Sequence, residues 1–199
     1  HLAFGLCLIF LLYPARSSWP RDRIHPIDFV FAVLGAAAPL YIVIFYQELV
    51  RRAGLVTTAD YIIGLIAIVL ILDAVRRVVG WPMVGVAVMF ILYALFGRQL
   101  PGALAHRGVD MPTLVQHLYY TTEGIFGIPL GVSATFIFLF ILFGAFLEKT
   151  GLGELFIDLS NAVAGWASGG PAKVAVIASA LEGTVSGSSV ANTAGSGSF

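Results

Sequence analysis

Long runs of hydrophobic residues recur along this chain, and most charged residues lie between them. Ile27–Tyr46 carries one charge, Asp28, at its start. Val78–Phe96 and Gly124–Leu147 carry none. A helix that crosses the hydrocarbon of a bilayer needs about 20 residues, so each of these runs predicts a transmembrane helix.

A further apolar core, Tyr61–Leu72, reaches spanning length only together with its flanking residues. Thr57 and Asp60 ahead of it have the spacing of a capping box, which marks the start of a helix. Asp73 and Arg77 after it are spaced i,i+4, as in a helical salt bridge. We therefore predict a capped helix and assign these charged residues structural roles in preference to catalytic ones.

The chain opens with an apolar stub, Leu2–Tyr13, which we expect to be a truncated helix. The stub has no basic residues ahead of it and no clear cleavage site, so it does not resemble a secretory signal peptide. The first residue is His1 and not Met, and the last, Phe199, stands within a continuing pattern. We expect the chain to be a fragment of a longer protein.

A connector, Gly97–Gly131, separates the earlier apolar runs from the later ones and contains three prolines. Within it, Met111–Thr122 is predicted to form a helix along the membrane interface. Tyr119 and Tyr120 are expected in the headgroup layer, which amphipathic rings prefer. We place a domain boundary near residue 125. Residues 1–125 form a small membrane domain of about four helices plus this interfacial connector, and residues 126–199 begin a second domain.

Composition determines the class of protein. Hydrophobic residues make up 59% of the chain and charged residues 11%, and the mean hydropathy is +0.94. Soluble domains carry about 25% charged residues. A chain of this size cannot hide so much apolar surface in its own core, so lipid must be its solvent. The formal net charge is zero, which provides no basic face for nucleic acid.

Few residues could carry out catalysis. The single cysteine, Cys7, excludes an internal disulfide and a cysteine metal cage. No two of the four histidines are three or four residues apart, the spacing of helical metal ligands. The chain lacks a G-x-x-x-x-G-K-[ST] phosphate loop, and the residues around Ser186 do not form a G-x-S-x-G nucleophile elbow. We therefore expect no enzymatic activity, no ATP hydrolysis and no cofactor.

Basic residues between the predicted spans are distributed unequally. If the spans alternate in direction, one side of the membrane receives six and the other receives four. The side with six is predicted to be cytoplasmic. Its basic residues are Arg16, Arg21, Arg23, Arg76, Arg77 and Lys149, and those of the opposite side are Arg51, Arg52, Arg98 and Arg107.

The last hydrophobic segment, Ser160–Val185, differs from the others because Gly-Gly-Pro interrupts it at 169–171 and it carries Lys173 and Glu182. It leads into a run of Gly, Ser, Thr and Asn residues, Gly183–Gly197. Glycine costs about 1 kcal/mol in a helix interior, and hydroxyl side chains compete for backbone hydrogen bonds. Irregular backbone at membrane depth occurs only inside protein or beside a water-filled cavity. We therefore predict a re-entrant hairpin of two half-helices.

The oxygen atoms of such a turn suggest its ligand. Free carbonyls and hydroxyls can replace the water shell of a small hard cation, and a half-helix N-terminus can face an anion. Sodium suits this oxygen-rich, weakly charged lining better than a transition metal, which prefers imidazole or thiolate.

Other interpretations of the run stay open. It could be a flexible linker, although Val185, Val190 and Ala191 interrupt it. It could also be a close-packing surface between helices, which favours small residues. Glu182 is either a functional carboxylate, as intramembrane acids often are, or a residue at a water-filled mouth or paired with Lys173.

Three long blocks resemble the fused permease subunit of tripartite ATP-independent periplasmic (TRAP) transporters of the TAXI type. They read RRVVGWPMVGVAVMFILYALFGRQLPGALAHRGV, TTEGIFGIPLGVSATFIFLFILFGAFLEKTG and GGPAKVAVIASALEGTVSGSSVAN. The resemblance extends from about residue 40 to residue 199. It implies an all-α membrane protein, with a bundle of transmembrane helices followed by the start of an elevator-type transport domain that contains a re-entrant helical hairpin.

The same resemblance implies a function and a site. A periplasmic solute-binding protein would deliver an organic acid, and sodium flow would drive uptake across the bacterial inner membrane. The residues that fall on the family's first-hairpin motif, and so on its substrate and ion site, are Ser186, Gly187, Ser188, Ser189, Asn192 and Gly195. The hydroxyls of Ser186 and Ser188 are the candidate sodium ligands.

The chain departs from the family's pattern at two places. Glu182 stands where the family usually has a small or apolar residue, and the hydroxyl pattern is shifted after Asn192. The second hairpin would lie beyond Phe199. The alternative function, which the first 120 residues alone would fit, is a membrane scaffold or assembly subunit that does not itself transport.

Overall fold

The computed structural model describes residues 1–16, 25–52 and 55–185, except for the side chains of residues 103, 147 and 148. All regular structure in these residues is helical, and four helices are long and apolar enough to cross a membrane. The predicted class, an all-α membrane protein, is confirmed. The chain divides into two compact units, His1–Leu130 and Gly131–Phe199.

Six α-helices make up most of the first unit. They are α1 (Leu2–Leu12), α2 (Pro26–Ile44), α3 (Tyr46–Arg51), α4 (Thr58–Val78), α5 (Trp81–Phe96) and α6 (Met111–Tyr120). Of these, α2, α4 and α5 have spanning length, α5 with the 3-10 turn that extends it to Gln99. Proline stands in the first turn of both α2 and α5, where its missing N–H costs no hydrogen bond.

Small residues allow α1, α2 and α4 to pack closely. Leu6 and Phe10 of α1 are buried with Ala32 of α2 and Ala74 of α4. A Cβ placed on Gly35 of α2 would lie 3.0 Å from the Phe10 ring, so the two helices approach closely at this point. Helices that associate in lipid commonly meet through such small residues.

The connector helix α6 packs on α4 within the first unit. Leu114, Val115 and Tyr119 are buried, and a Cβ on Gly64 of α4 would lie 2.6 Å from Cγ1 of Val115. The Tyr119 side chain is 0% exposed and its ring packs against Phe126, so the ring is buried in protein; its expected depth at the headgroup layer stays a prediction. The glycine in α4 makes room for the apolar face of α6, so this face contacts protein and not lipid.

In the second part of the chain, a long apolar span, Ile128–Phe146, contains a turn of different helical type. It runs through α7 (Ile128–Val132), a π-helical turn (Ser133–Ile137) and α8 (Phe138–Lys149). Thr135 donates its hydroxyl hydrogen bond to the carbonyl of Gly131 at 2.8 Å, which satisfies a polar side chain inside the span.

Two shorter helices, α9 (Leu152–Ala164) and α10 (Gly170–Gly183), pack against each other. The break between them confirms the interruption predicted from Gly-Gly-Pro. Gly169 has a φ of +75°, a left-handed conformation that glycine adopts without strain, and Pro171 then occupies the first turn of α10. The side chains buried in this pair are small, among them Ser160, Ala164 and Ala178.

Candidate functional site

The six residues predicted to bind substrate and ion lie outside the described residues. They are Ser186, Gly187, Ser188, Ser189, Asn192 and Gly195. Their roles, including sodium ligation by Ser186 and Ser188, therefore stay predictions. The structure does describe the helix that leads into this run and the way in which that helix ends.

Helix α10 is too short to cross a bilayer. It has 14 residues, a length of about 21 Å at 1.5 Å per residue, against a hydrocarbon thickness of about 30 Å. Its partner α9 has 13 residues and the same shortfall. A helix that starts at a membrane surface and has this length ends within the hydrocarbon.

The C-terminal end of α10 is closed by short-range hydrogen bonds. The N–H groups of Thr184 and Val185 donate to the carbonyls of Leu181 and Glu182, each at 3.1 Å. The hydroxyl of Thr184 also donates to the carbonyl of Leu181, at 2.6 Å. These i to i+3 bonds tighten the last turn and satisfy carbonyls that a helix end leaves free. The regular helix therefore stops where the oxygen-rich run begins.

Helical geometry separates Glu182 from Lys173. Both residues lie on α10, nine positions apart, which gives an axial separation of about 13 Å and places them on opposite sides of the helix at 3.6 residues per turn. The direct ion pair considered from the sequence therefore does not form within α10. Glu182 lies one residue before the C-terminal end of the helix, next to the predicted hairpin turn.

Asp60 accepts more hydrogen bonds than any other carboxylate that the structure describes in the first unit. The Tyr41 hydroxyl donates to its Oδ1 at 2.6 Å, and the backbone N–H and hydroxyl of Thr57 donate to its Oδ2 at 2.9 and 2.6 Å. The predicted capping box is present in full. Arg52 reaches Oδ2 at 3.4 Å, and the hydroxyl of Tyr120 donates to the Asp60 backbone carbonyl at 2.7 Å. These partners assign Asp60 a structural role.

A cavity of about 320 Å³ opens beside Asp60. Arg52, Asp60 and Tyr120 form its polar wall, and side chains such as Ile42 and Leu49 form its apolar wall. The Asp60 carboxylate at this cavity already accepts hydrogen bonds from Tyr41 and Thr57, which fits its structural role.

Arg77 is the centre of a second polar cluster, at the C-terminal end of α4. The predicted bridge to Asp73 is present, with Nε 2.7 Å from Oδ2. The second partner, which residue spacing did not predict, is Asp28, whose Oδ1 lies 2.6 Å from Nη1 of Arg77. The Arg77 side chain is 1% exposed, and its guanidinium carbon lies 4.7 Å from the centre of the Phe10 ring. A buried arginine needs such partners because an unpaired charge away from water is costly.

Outside the predicted spans, several ionisable groups of the connector have shifted pKa values, among them Asp110 and Tyr119. A hydrogen bond from the Thr113 hydroxyl, at 2.7 Å, lowers the pKa of the Asp110 carboxyl. Burial raises the pKa of the Tyr119 hydroxyl well above its usual value. Neither group is part of a metal-ligand set. Among residues 1–16, 25–52 and 55–185, no three His, Cys, Asp or Glu side chains are grouped so that they could hold a metal ion.

Comparison with known proteins identifies the family. No curated protein and no solved structure matches the chain. The family model described as tripartite ATP-independent periplasmic transporter, DctM component, matches residues 66–199. This range begins within α4 and continues through the broken α9–α10 segment and the oxygen-rich run. Because the match covers more than half of the sequence, the chain belongs to the DctM component family of tripartite ATP-independent periplasmic transporters.

Proposed function

We propose that this chain is the permease component of a sodium-coupled secondary transporter of the TAXI type. It takes up an organic acid delivered by a periplasmic binding protein, through an elevator-type movement, and it is a multi-pass protein of the bacterial inner membrane. Membership of the DctM family supports the permease role, because permeases of this family work with a periplasmic binding protein. It also supports the absence of enzymatic activity. The observation that supports the sodium site is that α10 ends after 14 residues, just before the oxygen-rich run.

The end of α10 supports a re-entrant turn. A helix of 14 residues that closes with i to i+3 bonds at Thr184 and Val185 would, if it starts at a membrane surface, bring the chain to partial depth in the hydrocarbon. The next residues are rich in hydroxyls and glycines. A chain that reverses there leaves carbonyl and hydroxyl oxygens without helical partners, and such groups need partners from protein or from water in a cavity. Sodium ligation would satisfy them, with Ser186 and Ser188 as the side-chain ligands.

The substrate carboxylate, unlike the sodium ion, would bind where the site is positively polarised. The N-terminal end of a half-helix carries a partial positive charge and unpaired N–H groups, which attract anions. We expect Asn192 and Gly195, in the second half of the run, to contribute to that part of the site.

The first test is the driving force for uptake. The permease is reconstituted in proteoliposomes with its binding protein and a radiolabelled organic acid. We expect uptake to need an inward sodium gradient and no ATP, and to be lost when choline replaces sodium. Uptake that continues unchanged in choline would contradict sodium coupling.

The second test concerns the ligands. We expect Ser186→Ala and Ser188→Ala to raise the sodium concentration needed for half-maximal uptake. Ser160→Ala is the matched control, because the Ser160 hydroxyl donates to the Phe156 carbonyl of its own helix at 2.6 Å and is 0% exposed. If all three variants keep the sodium dependence of the wild type, these hydroxyls do not bind the ion.

A scaffold role is the second candidate for the first unit. Its buried acids, Asp28 and Asp60, are both paired with residues of the same unit, which is typical of a structural element. If variants of the oxygen-rich run leave uptake unaffected and variants of the first unit only reduce assembly, the scaffold function is favoured.

A further inference from the structure

A cavity lined by arginines lies at one end of the first unit, where α1 and α4 end and α5 begins. Its volume is about 350 Å³. Arg16, Arg76 and Arg77 line it, together with Trp81 and the backbone that follows α1. No acidic residue is among its described lining residues. Neither the proposed sodium site nor the family assignment uses this cavity.

Among the side chains that the structure describes, the charges around the cavity do not cancel. Asp73 pairs with both Arg76 and Arg77, and Asp28 pairs with Arg77. Two carboxylates therefore face three guanidinium groups. Arg16 is exposed and has no ion-pair partner among the residues that the structure describes. Within residues 1–16, 25–52 and 55–185, one positive charge is therefore left to attract an anion.

One hydrogen-bond donor of Arg77 is also unused. Its Nε and Nη1 atoms donate to Asp73, Asp28 and the carbonyl of Tyr13. Its Nη2 atom is buried and has no hydrogen-bond partner in the described part of the chain. A buried, unpaired guanidinium N–H is unfavourable, and a phosphate oxygen is among its best acceptors. The Ala15 carbonyl beside it accepts a hydrogen bond from Nη2 of Arg76 at 3.1 Å.

The position of the cavity indicates where the anion comes from. The cavity opens at the junction of two helices of spanning length, α4 and α5. Trp81 at its rim is 70% exposed, and the guanidinium carbon of Arg76 lies 5.6 Å from the centre of its ring. An exposed tryptophan beside arginines at a helix end is typical of the headgroup layer. The charge distribution of the loops predicts that this end is cytoplasmic, where basic pockets between helices bind anionic headgroups.

We propose that the cavity lined by Arg16, Arg76 and Arg77 binds the phosphate of an anionic phospholipid headgroup. Arg16 supplies the unneutralised charge, Arg77 supplies the unused buried donor, and the Trp81 ring rests in the interface beside the lipid. Bound there, the lipid joins the ends of α1, α4 and α5 at the membrane surface.

The test is native mass spectrometry of the protein released from nanodiscs that contain equal amounts of phosphatidylglycerol and phosphatidylethanolamine. We expect the wild type to retain phosphatidylglycerol preferentially. Arg16→Gln should weaken this retention about fivefold, the value of one basic residue at a charged membrane surface. The matched control is Arg51→Gln, which removes the same charge from the exposed end of α3 and should retain the lipid as the wild type does.

Three outcomes would overturn the proposal. The first is an equal loss of lipid in Arg51→Gln, which would indicate general charge attraction. The second is unchanged retention in both Arg16→Gln and Arg76→Gln, provided that their melting temperatures match the wild type. The third is full displacement of the lipid by millimolar inorganic phosphate, which would identify the occupant as a soluble anion.

Discussion

Replacement of Asp60 tests whether hydrogen bonds or charge pairing hold the start of α4. The carboxylate accepts three close hydrogen bonds, from the Tyr41 hydroxyl and from the backbone and side chain of Thr57, at 2.6 to 2.9 Å. Its one ion pair, to Arg52, is longer at 3.4 Å, and the Arg52 side chain is 32% exposed. The geometry therefore predicts that the hydrogen bonds dominate.

The magnitudes follow from these contacts. A hydrogen bond to a charged group contributes about 1.5–3 kcal/mol, and such contributions are not additive within one cluster. Removal of a buried charged partner as a whole costs about 3–5 kcal/mol. We expect Asp60→Ala to cost that amount and Asp60→Asn to cost about 1.5–3 kcal/mol, because the amide keeps one acceptor and places an N–H group against the donors of Thr57. Arg52→Ala should cost less than about 1 kcal/mol.

The assay is thermal unfolding of the purified protein in detergent, followed by intrinsic fluorescence. A loss of about 4 kcal/mol corresponds to a decrease in Tm of about 10 °C for a chain of this size, while Arg52→Ala should shift Tm by only about 2 °C. Tyr41→Phe serves as a check from the other side of the cluster, with an intermediate loss. If Arg52→Ala destabilises the protein as much as Asp60→Ala does, charge pairing and not hydrogen bonding holds this helix start.

Three further predictions concern the connector. Tyr119→Phe should keep or slightly raise the melting temperature, because the buried Tyr119 hydroxyl has no hydrogen-bond partner among the described residues. Tyr120→Phe should cost about 1 kcal/mol of stability, because it loses the 2.7 Å hydrogen bond to the Asp60 carbonyl. Equal losses of stability in the two variants would contradict the different roles assigned to the two hydroxyls. Gly97→Ala should destabilise the connector, since its Cβ would overlap the His106 ring, and recovery by a second change, His106→Ala, would identify that overlap as the cause. Because the pKa of Asp110 is lowered, its contribution to the stability of the start of α6 is present above the ordinary carboxyl pKa and is lost as the pH falls through the pKa of the folded state. Carbon-detected NMR of the Asp110 carboxyl should show this titration. Asp110→Asn should abolish this pH dependence of stability.

Local contacts in this chain were predictable and distant ones were not. The capping box of Thr57 and Asp60 and the bridge between Asp73 and Arg77 join residues three or four positions apart, where helical geometry alone fixes the distance. The bond from Arg77 to Asp28 joins residues 49 positions apart. It depends on how α2 and α4 pack, which residue spacing does not encode.

The same difference between local and distant contacts applies to the ends of the helices and to buried side chains. Gly-Gly-Pro marked the start of α10 because glycine and proline restrict the backbone by themselves. The burial of Tyr119 was missed because an amphipathic ring is equally suited to the headgroup layer and to a protein interior. The burial of this ring depends on the close approach of α6 to Gly64, which residue types alone do not encode. The predicted binding residues from Ser186 to Gly195 lie outside the described residues, so their assignment still depends on pattern and family.

The π-helical turn at Ser133–Ile137 changes which side chains of the long span share one face of the helix. A turn closed by i to i+5 hydrogen bonds contains one residue more than an α-helical turn. Side chains from Phe138 onward are therefore rotated by about 100° from their places on a helical wheel of the entire span. Cysteine scanning of this segment should show a lipid-accessible stripe whose periodicity skips one position between Val132 and Phe138 and then resumes.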